Sequence, residues 1–355
     1  MGTLLVRNSS FTNGKKNHIA ATQTLVRIES TTIYDSQDKL ETGHGLTCLN
    51  CVELTVLNST FRNLVSYSAP AIYIAQQTGV ESRIEDCTFE GNLALGDAGS
   101  IRLSNAGVVQ LTRNSFIDNS VSDDTDPITD WRFCDAGAVY YSCSLGDCDV
   151  VLDGNLFQGN SAKNKGGALR YIHKNFTTVY NSGGEATSET AGRRVLSDRA
   201  LQQSSYSDTN VYRDNEAAYA PDLASYAASY KFILRQNGNE FESEKGEQVI
   251  FAPGQDIQLT VEIYDLEGRL FRDENQAICN IEFVGGQDLP SGSTIINPEE
   301  VAENGVIQFD TLNIRQTPDT DTYMQFIFTG LELYGNTVES FEQPAPVKVH
   351  ARSCD

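Results

Sequence analysis

The sequence is poor in the residues that mark most enzymes and most nucleic-acid binders. Its 355 residues include four histidines, two methionines and one tryptophan. Its 26 Lys and Arg are outnumbered by 48 Asp and Glu, for a formal net charge of -22. Without a basic stripe to offset self-repulsion, neither nucleic acid nor an anionic membrane surface is an expected partner. No apolar run approaches the roughly 20 residues that a membrane-spanning helix needs, so no membrane span is expected in this sequence. The opening MGTLLVR has no apolar h-region and reads as the middle of a strand, so the sequence is expected to be a piece of a longer protein. No Ser-His-Asp set and no phosphate-cradling glycine loop is present.

What is there is a repeat. The segments LVRNSSF (5–11), TVLNSTF (55–61), SRIEDCTF (82–89), QLTRNSF (110–116) and VLDGNLF (151–157) each alternate, pass through a polar pair and reach an aromatic. Weaker copies end at Ile33 and Tyr212. Phe61, Phe89 and Phe116 stand 28 and 27 residues apart. An asparagine follows three residues on in Phe89–Asn92, Phe116–Asn119, Phe157–Asn160 and Tyr212–Asn215; tighter copies pair Phe11 with Asn13 and Phe61 with Asn63. A second motif, small residues then one aliphatic, recurs at Ala71-Ile72, at AGSI (98–101), AGAV (136–139) and GGAL (166–169).

Periods of this length fit one coil of a parallel β-helix and are too short for a propeller blade. Alternation sends every second side chain into the bore. Stacking of equivalent positions then predicts an interior ladder of Phe11, Phe61, Phe89, Phe116, Phe157 and Tyr212, with turn asparagines bonding from coil to coil. Two intervals are swollen, which places loop insertions near 121–135 and 181–209; Arg194–Gln203 in the second reads as a short helix. From residue 230 the pattern changes to period-two strands, and Asp265-Leu-Glu-Gly268 forms a hairpin turn. The expected architecture is all-β: a right-handed parallel β-helix over 1–229, then an immunoglobulin-like β-sandwich over 230–355.

The tetrapeptides GGAL (166–169) and FQGN (157–160) resemble those of chlamydial polymorphic outer-membrane proteins and of large surface proteins of ciliates and other protists. The segment 210–226, NVYRDNEAAYAPDLASY, resembles the terminal repeat of the protist group. The resemblance covers about residues 3–230 and is most specific over 80–226. It implies a pectin-lyase-like β-helix followed by a sandwich and a cysteine-rich stalk, in a cell-surface or adhesive protein.

Eight cysteines form an even set, and Cys143–Cys148 and Cys279–Cys354 are the expected disulfides, which place the chain in an oxidising compartment. Cys48 and Cys51 suit a local disulfide or separate pairings better than half a zinc site. Asn8, Asn58 and Asn175 head N-glycosylation sequons. Because many parallel β-helices act on polysaccharides, His44 with Asp35 and Asp38 is a candidate catalytic set. It lacks paired carboxylates on neighbouring coils, and His44 reads as a polar turn residue. The acidic stretch Asp123, Asp124, Asp126, Asp130 and Asp135 lacks the spacing of a calcium loop, and only Arg132 offers a base nearby. A solvated loop is expected there, with no metal and no cofactor. The function expected is that of a non-catalytic extracellular structural or adhesive protein, whose partners are other surface proteins or glycans. Head-to-tail self-assembly into a filament or cell coat is a further expectation, because the first residues already read as an uncapped strand. The alternative is a polysaccharide lyase, a glycosidase or a carbohydrate-binding module of the same fold.

Overall fold

A computed structural model describes residues 2–14, 17–42, 45–75, 81–122, 134–143, 148–172, 176–178, 180–182, 206–236, 239–242, 249–254, 256–284, 292–331 and 346–352. It divides into two compact units, Met1–Ala224 and Ser225–Asp355. The division falls five residues before the expected one, because Ala227–Gln236 is already a strand of the second unit. Its small opening residues hide the alternation that becomes plain at Tyr230.

The first unit winds three parallel sheets into successive coils. The first sheet stacks Gly2–Arg7, Thr24–Glu29, Glu53–Leu57, Glu81–Glu85, Val108–Thr112, Asp149–Asp153 and Phe176–Thr178. The second carries the aromatic of each repeat, and the third carries the aliphatic that follows the small residues. Alternation fills the bore: Val26, Ile28, Leu54, Val56, Ile84, Val109, Leu111, Val150 and Leu152 of the first sheet are all fully buried. The second insertion opens as a two-stranded antiparallel ribbon, Tyr180–Ser182 against Tyr206–Asp208. The helix expected at 194–203 lies outside the described residues.

The rings stack as the spacing requires. Phe61, Phe89, Phe116, Phe157 and Tyr212 lie in register, with successive centroids 5.2, 4.8, 4.8 and 5.2 Å apart and planes within 8°. Phe11 shares the column but not the stack: Ile33 separates it from Phe61, and its ring tilts onto His18 at 5.9 Å.

Two asparagine ladders run beside the rings. In the one after the aromatic, Nδ2 of Asn92, Asn119 and Asn160 donates to Oδ1 of the next asparagine at 2.9, 2.9 and 3.0 Å, ending on Asn215. Asn13 and Asn63 do not belong to it. In the coil of Phe61 the ladder position is Leu64, whose N–H donates to Asn92 Oδ1. Asn63 stands one residue earlier at φ 52°, a left-handed corner that asparagine tolerates well. The other ladder lies two residues before the aromatic, where Asn114 donates to Asn155 and Asn155 to Asn210 at 3.1 and 2.9 Å. Sequence reading saw only a polar pair there. Aligned on the aromatic, the column reads Ser9, Thr31, Ser59, Cys87, Asn114, Asn155, Asn210, which was the signal available.

The second unit is a sandwich of two five-stranded sheets. Tyr230 and Phe232 of one sheet meet Phe326 and Phe328 of the other, with centroids 4.6–5.7 Å apart. The turn after Asp256–Asp265 is closed by Gly268 at φ 77° and by Asp265, whose carboxylate accepts from Arg269 N and Nε at 2.8 and 2.9 Å. The expected Cys279–Cys354 bridge is overturned. Cys279 is a buried free thiol. The register explains why: Cys279 pairs with Phe328, whereas Ala351 pairs with Thr320 at the far end of the same strand, about 26 Å away. Three further residues of chain span only about 11 Å; Cys354 itself lies outside the described residues.

Candidate functional site

The small–small–aliphatic turn is where the first unit departs from a plain coil. Its leading residue is left-handed in five consecutive coils: Ala69, Ala98, Ala136, Gly166 and Ala220 have φ between 47° and 66°. For alanine this conformation costs about 1–2 kcal/mol. The next residue is pressed against the neighbouring coil, so that a Cβ on Gly99 would overlap the carbonyl oxygen of Gly137. The strained turn carries the chain onto the third sheet and fixes two columns of side chains on its flank.

The residues just before the turn are Ser68, Asp97, Asp135 and Lys165, all buried. The residues just after the aliphatic are Tyr73, Arg102, Tyr140 and Arg170, in continuous register on the third sheet. They alternate with inward-facing residues such as Ile72 and Ile74, so their side chains leave the bore, yet Tyr140 is 6% exposed and Arg170 0%. Arg102 Nη1 donates to both oxygens of Asp97 at 2.8 and 2.6 Å, and its guanidinium lies 5.3 Å from the centre of the Tyr140 ring. Ser68 Oγ donates to Asp97. Between the next two coils, Arg170 Nε stands 3.6 Å from Asp135 Oδ2. Burial, and after it the charge of Asp97, pushes the Tyr140 phenol well up, so it stays neutral at physiological pH.

Neighbouring coils thus bring Asp97 and Asp135 to one flank, the rung-to-rung carboxylate pair that sequence reading did not find. Each carboxylate faces an arginine, and the Tyr/Arg alternation offers stacking and charge pairing. The signal was a fixed offset on either side of the small-residue motif.

The residues singled out from sequence fall elsewhere. Asp35 is an exposed left-handed corner residue whose carboxylate accepts from Asn63 at 2.9 Å. His44, the Asp38 side chain, Arg132 and the acidic stretch 123–130 lie outside the described residues. Asp135, counted with that stretch, joins Arg170 instead. Asn8 and Asn58 are exposed corners, and Asn175 lies outside the described residues. Disulfides close Cys48–Cys51 and Cys143–Cys148, with Cα atoms 5.7 and 6.2 Å apart. Cys87 and Cys134 are buried free thiols. Among the described residues no three His, Cys, Asp or Glu side chains gather as a metal site would need, and no helix is long and apolar enough to cross a membrane.

No curated protein and no solved structure matches the chain. A family model described as the right-handed β-helix region matches residues 2–183. That span is just over half of the chain and holds most of the coils, so the chain belongs to the right-handed β-helix family.

Proposed function

We propose that the protein is a non-catalytic extracellular structural or adhesive protein of the cell surface. The observation that carries this reading is the state of the Asp97 and Asp135 flank: its carboxylates are buried against arginines rather than presented to solvent as an acid and base. Two supports stand beside it. The bore is filled by rings and by amides that bond from coil to coil, which suits a stiff rod. The disulfides Cys48–Cys51 and Cys143–Cys148 fit an oxidising compartment. The resemblance to chlamydial and protist surface proteins points the same way, towards a cell-surface or adhesive role with other surface proteins or glycans as partners. Antibody labelling of intact, unpermeabilised source cells tests the reading. Surface signal removable by external protease is expected; signal only after permeabilisation overturns it.

One observation favours a second reading. Asp97 and Asp135 on adjacent coils, flanked by Arg102, Arg170 and Tyr140, resemble the furniture of a polysaccharide-active site. Under that reading the protein turns over a polysaccharide and depends on both carboxylates.

A further inference from the structure

Alternation decides where a sequon can stand on this fold. In both asparagine ladders the residue two positions after the asparagine faces the bore: Phe116, Phe157 and Tyr212 after Asn114, Asn155 and Asn210, and Ala94, Val121 and Ala162 after Asn92, Asn119 and Asn160. None of these is Ser or Thr, and a hydroxyl there would sit in the apolar core. The left-handed corner between the first and second sheets is different. Its column is Asn8, Ser30, Asn58, Asp86, Arg113 and Gly154, with φ between 48° and 65°. Two positions on from this corner the chain enters the second sheet one residue before the inward aromatic, so the side chain points outward, as Ser10 and Thr60 do. Asn8 and Asn58 are both exposed there. Their sequons therefore sit on the one column between these sheets where acceptor and hydroxyl both leave the coil. Two coils separate them, a distance of about 10 Å along the axis.

We infer that this corner is an N-glycosylated stripe: Asn8 and Asn58 carry glycans on the same edge of the coil, which marks that edge as facing water and not a neighbouring protein. The inference rests on the extracellular reading, in the form of entry into a eukaryotic secretory lumen. Bound glycans replace no internal hydrogen bond, because the amides that hold the coils together belong to the ladder asparagines.

The test expresses the full chain behind a secretion leader in a eukaryotic host. Enzymatic deglycosylation in heavy-oxygen water leaves a mass mark at each asparagine that carried a glycan, read by peptide mapping without reduction. Marks are expected at Asn8 and Asn58 in most molecules, and Thr60→Ala should erase the Asn58 mark alone. Thr60 is chosen over Ser59, whose hydroxyl accepts from Thr31 N and donates to Leu57 O within the turn. The thermal midpoint should be the same before and after deglycosylation. Unmarked Asn8 or Asn58 in molecules that have closed Cys143–Cys148, or a midpoint that moves, overturns the stripe while leaving the extracellular reading intact. Marks without that disulfide count against the compartment argument instead, and absence of both overturns the two together.

Discussion

Asn119 shows how one side chain holds three coils. Its Oδ1 accepts from Asn92 N and Nδ2 and from Ser100 Oγ, while its Nδ2 donates to Phe89 O and Asn160 Oδ1. Every partner is buried, so truncation orphans several groups at once. Asn119→Ala is expected to cost about 2–4 kcal/mol in urea unfolding, more than a single lost hydrogen bond, because the unsatisfied groups stay out of water. The other ladder stops at Cys87, whose N–H donates to Asn114 Oδ1 while its thiol leans on Val56 O at 3.6 Å. Cys87→Asn places an amide where the following coils already use one. It should stabilise the first unit by about 0.5–1.5 kcal/mol in the same assay. Burial pushes the Cys87 and Cys279 thiols up to about 12. Neither should react with iodoacetamide at pH 8 in the native protein, and both should react once it is unfolded without reductant. Protection of Cys279 in the unfolded, unreduced chain would restore a disulfide there.

At the scale of elements, the turn and the ring stack behave differently under substitution. Phe89→Ala removes a fully buried ring flanked at 5.2 and 4.8 Å, and about 3–5 kcal/mol is expected from equilibrium unfolding. Gly137→Ala adds one methyl but drives it into Gly167 O and the Ser161 backbone, so two coils must part. It should be the more damaging of the two, read as loss of soluble folded protein. The ring stack was legible because aromatics at coil spacing are rare by chance, and the asparagine three residues on fixed its register. The longer sandwich strands were legible from their period of two, whereas short ones such as Val249–Phe251 and Thr294–Ile296 hold too few residues to show it. The flank was not legible: Asp97, Arg102, Asp135 and Arg170 are ordinary charged residues in sequence, and only the register of the third sheet brings them together. Cys279 misled because isolation in a domain says nothing about which end of a strand a cysteine occupies.

At the scale of the molecule, the question is whether the buried flank is a lock or a site. As a lock, its worth lies in pairing: Arg170→Ala strands Asp135 and should cost about 3–5 kcal/mol in thermal or urea unfolding, whereas Asp135→Leu with Arg170→Met should restore most of it. A chain of charge -22 has good reason to neutralise carboxylates where it buries them. The most direct test of the central claim is to incubate the purified, disulfide-intact protein with a panel of neutral and acidic polysaccharides and follow the release of chain ends over time. The account predicts no release above that of the Asp97→Asn and Asp135→Asn proteins. Turnover by the natural sequence that both substitutions abolish, with their folds intact, would contradict it and make the flank an active site.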